Sequence, residues 1–132
     1  MAHRITLSIL PYETCRALKD TGFPQPHIRD VGTARYIQDP TKPNSIRVFS
    51  PRMEELVAWL NECSTKERGR SGTFHIEHTL TACIATHSLF PAERGYGPGP
   101  LEATALLAIA VGRSIQPTPR GRGKVVSLPV RQ

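Results

Sequence analysis

The segment Ser50–Cys63, SPRMEELVAWLNEC, restricts the fold most. Ser50 can cap an open helix end, and Pro51 suits a first helical position because its missing N–H would have no partner there. Glu54 and Glu55 then fall where the helix dipole is positive. Met53, Leu56, Val57 and Leu60, with Cys63, recur at three- and four-residue spacing, which marks one apolar helix face. A helix over Pro51–Cys63 must bury that face, so the rest of the chain has to supply a surface for it.

Local signals on either side divide the chain into short elements. A first helix is expected at Pro11–Asp20, capped by Ser8, with Ile9, Cys15 and Leu18 near one face. Its stop is specific. Gly22 can take the left-handed conformation, Phe23 can fold back on the last turn, and Pro24 blocks continuation. Thr33–Ile37 and Ser45–Phe49 suit extended structure, and Asp39, Pro40, Pro43 and Asn44 between them supply turn chemistry. These two runs read as a hairpin, with Ile46 and Val48 on one face and Arg47 and Phe49 on the other.

After a polar loop at Ser64–Gly72, Thr73–Glu77 and Thr79–His87 read as two more strands. Phe74 and Ile76 would share one face of the first, and Leu80, Ala82 and Ile84 one face of the second. Pro91–Pro100 is glycine- and proline-rich and reads as a loop. A third helix follows at Pro100–Arg113, where Gly112 would end it. The order α-β-β-α-β-β-α predicts an α+β fold, with a small antiparallel sheet of about four strands and three helices on one side.

Charge separates this body from the chain's end. Residues 1–113 hold 13 Lys and Arg against all 11 Asp and Glu, while the other 4 of the 17 basic residues lie in 114–132. That last stretch also carries Pro117, Pro119, Gly121 and Gly123. It is expected to stay disordered, since it has too little apolar surface to offset its ordering entropy. Val125–Leu128 in it could still add as a strand to an edge or a partner. The expected organisation is one domain over 1–113 and a basic tail over 114–132. Cys15, Cys63 and Cys83 are odd in number and widely spaced, so reduced buried thiols are expected. No signal peptide or membrane span is visible, which points to a cytoplasmic protein.

With the elements placed, Glu13–Gln25, ETCRALKDTGFPQ, resembles the opening of a group of small uncharacterised bacteriophage and prophage proteins. Those proteins have a first helix that ends in L-K-x-x-G-F-P-Q. Tyr36, Ile46–Pro51 and Met53–Leu60 resemble their aromatic strand and following helix, and Gly99–Ala103 resembles their closing helix. The likeness covers residues 8–113 in outline and is close only over Leu18–Gln25. It implies a viral or prophage origin and an accessory role. It carries no catalytic residue and no cofactor.

Three sets of residues raise specific chemistry. His75, His78 and His87, near Glu77 and Cys83, are candidate metal ligands, but their spacing matches no H-E-x-x-H or paired C-x-x-C pattern. Exposed strand and turn histidines are the simpler reading. Neither His78-Thr79-Leu80 nor His87-Ser88-Leu89 fits the H-x-[ST] pattern of a two-histidine phosphoesterase. Arg94–Pro100 opens a helix but lacks G-K-[ST], so a plain loop is favoured over a phosphate cradle. Arg120, Arg122 and Lys124 in the tail, with Lys66, Arg68 and Arg70 in the polar loop, are candidate phosphate contacts. The tail has no aromatic residue for base stacking.

Three functions remain open from these residues. The first is a phage-type accessory protein that binds a macromolecular partner, a host or defence protein that it inhibits. The second is a sequence-tolerant nucleic-acid binder that uses the basic residues. The third is a small enzyme or ligand-binding protein built on the histidines. Homodimerisation through the sheet edge or the alanine-rich third helix is a further option.

Overall fold

The computed structural model describes residues 10–42 and 44–115. Ser8, Ile9, Pro43 and the basic tail with Arg120, Arg122, Lys124 and Val125–Leu128 lie outside the described residues. Helix α1 spans Tyr12–Asp20 and a single turn, α2, spans Ile28–Val31. Strands β1 (Tyr36–Ile37) and β2 (Val48–Phe49) precede α3 (Met53–Arg68). Strands β3 (Phe74–His78), β4 (Cys83–His87) and β5 (Gly95–Gly97) precede α4 (Pro100–Ile115).

The class is α+β, as the order of signals predicts, but four helices stand where three are expected, the added one being the single turn α2, and the strands divide differently. The described residues hold two antiparallel sheets, β1-β2 and β3-β4-β5, in place of one sheet of about four strands. In the first, Tyr36 faces Phe49 and Ile37 faces Val48. Thr33–Arg35 is a 3₁₀ turn and not part of the strand. The expected alternation fails in β2, where Val48 and Phe49 are both buried and Ile46 is exposed. Helix α1 covers one side of this ribbon, and Phe23, Tyr36 and Arg35 cover Phe49 on the other, so no solvent face is left to alternate with.

In the second sheet β4 buries Cys83, Ala85 and His87. The expected Leu80, Ala82 and Ile84 face is therefore out of phase. Thr79–Ala82 forms the hairpin turn, closed by the Thr79 amide on the Ala82 carbonyl at 2.8 Å, and Leu80 at its tip is fully exposed.

The third strand comes from the stretch read as a loop. Gly95 and Gly97 are buried in β5 because α4 crosses it at backbone contact. A Cβ on Gly97 would stand 2.7 Å from the Ala103 nitrogen, and one on Gly95 would overlap the Ala103 carbonyl oxygen. Ala103, Ala105 and Ala108 are themselves fully buried, so the alanines of this helix serve its close packing on β5 inside the chain.

Helix ends follow the local chemistry unevenly. The α1 stop is as expected: Gly22 has φ 102°, the Gly22 amide bonds the Lys19 carbonyl at 3.1 Å, and the Phe23 amide bonds the Leu18 carbonyl at 3.0 Å. Helix α3 starts after Arg52, not after Ser50, because the Glu55 carboxylate accepts the Arg52 amide at 2.6 Å. It runs past Cys63 to Arg68 and ends at left-handed Gly69. Lys66 and Arg68 are therefore helical, and only Arg70 of the three lies beyond the helix. The added turns have no apolar periodicity to announce them. Gly112 does not end α4. It sits where a Cβ would stand 2.8 Å from the Thr21 Cβ, allowing α4 to pass close to the end of α1. No helix among the described residues is long and apolar enough to cross a membrane.

Candidate functional site

One concave feature among the described residues is an apolar cleft of about 390 Å³ between the segment after α1 and helix α3. Its first wall is Phe23–Pro26, held by side-chain hydrogen bonds that tie it to Phe49 and Tyr36. Gln25 Oε1 accepts the Phe49 amide at 3.0 Å, so the amide side chain stands in for a third strand beside β2, while Gln25 Nε2 donates to the Phe23 carbonyl at 3.2 Å. The Tyr36 hydroxyl donates to the Pro26 carbonyl. Two prolines and these bonds fix the wall.

The second wall is α3. Glu55, Ala58, Trp59 and Glu62 recur at helical spacing and face the cleft, with Val31 of α2 at its rim. The Trp59 ring leans on Phe23 with centroids 5.4 Å apart, and Phe23 stacks on Phe49 at 6.5 Å. Arg35 lies over the Phe49 ring at 4.9 Å and pairs with Glu55, so this carboxylate is committed to the fold. Glu62 remains exposed at the mouth. Along the same helix a shallow surface pocket is lined by Met53, Glu54, Val57 and Ala58. Met53 and Val57, expected in the core, are half-buried there, and the core side of α3 is Leu56, Leu60, Cys63 and Ser64. The cleft thus offers aromatic and aliphatic surface beside an exposed acid, which suits an apolar side chain with a neighbouring cation.

Sequence reasoning did not find this site. Trp59 carried the one available signal, a large aromatic flanked at four- and three-residue spacing by Glu55 and Glu62 on the polar side of an amphipathic helix.

The histidines do not converge. Register places Phe74 opposite His87, His75 opposite Thr86 and His78 opposite Cys83. His75 therefore lies on the other sheet face from His78 and His87, and the latter two sit at opposite ends of the hairpin. His78 Nδ1 contacts Cys83 Sγ at 3.3 Å. Among the described residues no group of three or more His, Cys, Asp or Glu is placed to hold a metal ion. Of the basic candidates, Lys66 and Arg70 are exposed, while Arg68 donates to the Leu89 carbonyl at 3.2 Å and lies over the Phe90 ring at 5.1 Å. The three cysteines are free and buried. Burial pushes the Cys15 and Cys63 thiols up to about 11, against a Ser50 hydrogen bond at Cys15 and the Lys66 charge near Cys63. Both are protonated, inert thiols at neutral pH.

His87 is a structural group with a pH signature. Its Nδ1 accepts the Leu89 amide at 3.2 Å, which leaves Nε2 to donate to Asn61 Oδ1 at 3.0 Å. That pattern fits only the neutral ring, and burial lowers its pKa from the ordinary 6.5. As pH falls, the unfolded chain takes up this proton before the native state does. The stability that the neutral ring contributes is full above about pH 6.5 and is lost as pH falls below it, until the native ring protonates too. Thermal melts between about pH 8 and pH 5 should show this decline, and His87→Gln should flatten it. An unchanged slope in the variant would assign the acid loss elsewhere.

Comparison of the chain with protein-family models, with curated proteins and with solved structures gives no match.

Proposed function

We propose that this chain is an accessory binding protein that grips a short segment of a partner protein in the Phe23–Trp59 cleft. One observation carries the reading: a concave aromatic surface is held open by dedicated hydrogen bonds and bordered by the exposed Glu62. The matching ligand is an extended peptide with an apolar anchor next to a lysine or arginine. The anchor would pack on Trp59 and Phe23, and the cation would meet Glu62, with Glu54 further along α3. Buried aromatic anchors of this kind dominate peptide affinity, and rim charges tune it. The resemblance to phage proteins extends the reading to a virus-encoded factor that inhibits a host or defence protein by holding it.

The test is selection of a displayed random-peptide library on the full chain. Peptides that pair an aliphatic or aromatic residue with a basic neighbour should enrich. Trp59→Ala should weaken the best of them by about tenfold to a hundredfold, the effect of losing a hot-spot aromatic. Equal enrichment on Trp59→Ala, or enrichment of acidic peptides, would remove the cleft as the binding site.

A further inference from the structure

The three-stranded sheet is covered unequally. Helix α4 lies over β4 and β5, while β3 has β4 as its one extensive neighbour among the described residues. Its other edge is unpaired there. Phe74 and Ile76 are only half-buried, and Phe74–His78 pairs with β4 in continuous register, without a bulge. The strand contains no Pro or Lys, the residues that commonly guard an edge.

The direction of its free backbone groups can be read from the ends of the hairpin. The Thr79 amide bonds Ala82, and the Ser88 amide bonds Thr73. In an antiparallel ladder hydrogen-bonded pairs alternate with non-bonded ones. Thr73, His75, Glu77 and Thr79 therefore aim their backbone groups at β4, and Phe74, Ile76 and His78 aim theirs outward.

We infer that this edge pairs with the same edge of a second copy, forming a two-fold dimer with a continuous six-stranded sheet. An antiparallel pairing centred on Ile76 sets Ile76 opposite the second copy's Ile76 and Phe74 opposite its His78. These are the outward-aimed residues, so the donors and acceptors of each match those of the other. The same register puts His75 opposite the second copy's Glu77, twice by symmetry. That pair falls at a non-hydrogen-bonded position, where the Cα atoms approach to about 4.5 Å and side chains meet most closely. Imidazole faces carboxylate on the solvent side, and Phe74 and Ile76 gain cover on the helix side. The complementarity within FHIEH is what selects a second copy as the occupant. This interface is separate from the cleft and does not depend on the peptide reading.

Sedimentation of the full chain over a range of concentrations tests the inference. Wild type should show reversible dimerisation. His75→Glu opposes two glutamates across each pair, and Glu77→Lys opposes lysine to histidine. Each alone should weaken the dimer by about tenfold or more, and an equimolar mixture should recover a heterodimer. That recovery could not come from misfolded chains. Ile76→Pro removes an outward amide without touching the β4 ladder and should give a monomer with an unchanged circular dichroism spectrum. A wild-type monomer at all concentrations overturns the inference, including one whose Phe74 and Ile76 amides are protected from exchange by another segment of the chain. So does a dimer indifferent to these variants, or a mixture that fails to recover.

Discussion

Gly95→Ala is expected to lower stability by about 3 kcal/mol, the upper part of the range for overpacking a rigid interior. For a domain near this size that lowers Tm by about 10–20 °C. The added methyl would meet backbone on every near side: the Ala103 carbonyl oxygen, the Leu107 amide and, at 3.0 Å, the Leu107 Cα. None of these can rotate away as a side-chain end can. Relief requires α4 to lift from β5, and α4 carries Ala103, Leu107, Ala108 and Val111, all fully buried. Gly97→Ala, with its nearest neighbour at 2.7 Å, should cost less. Gly99→Ala meets nothing within 4 Å and should change stability by no more than about 0.5 kcal/mol. Thermal melts of the three variants give the ranking. A Gly95→Ala protein as stable as Gly99→Ala would mean that α4 does not press on β5 as described.

These glycines show where the sequence was opaque. The pattern GYGPG reads as loop because glycine has poor strand propensity and local rules see only the chain's neighbours. What makes the segment a strand is a helix backbone that arrives from positions 103–107. The phase error in β4 has a similar cause. Thr79–Ala82 looks like the start of a strand by composition, yet its threonine hydroxyl and amide close a turn, so Leu80 and Ala82 do not mark the face that β4 buries. The α1 stop was legible because all its parts, Leu18, Lys19, Gly22 and Phe23, lie close together in sequence. The cleft was not, since Phe23, Val31, Phe49 and Trp59 meet only after the fold has formed. Half of its information was nevertheless present: Trp59 sits among glutamates on α3, where an apolar side chain contradicts the local polarity. Such a contradiction points to a site rather than to a core.

Phe49→Ala should be the costliest substitution on the cleft, at about 3–4 kcal/mol, because a buried phenyl ring is lost and the cavity it leaves is walled by other rings. Phe49 is 2% exposed, and Phe23, Tyr36 and the Arg35 guanidinium all pack on it. Its backbone amide is also what Gln25 holds, so collapse at Phe49 loosens the Phe23–Pro26 wall of the cleft. Trp59→Ala differs in kind. The indole is half-buried and leans on one ring, so its removal should cost about 1–2 kcal/mol of stability while removing the largest side chain that lines the cleft. Urea unfolding should therefore separate the two: a large fall in midpoint at constant slope for Phe49→Ala, and a small one for Trp59→Ala. Peptide binding should invert that order when each variant is assayed under conditions where it is folded. If Trp59→Ala proves as destabilising as Phe49→Ala, the indole is a core residue at the surface, and the cleft is a crease left by packing rather than a place for a ligand.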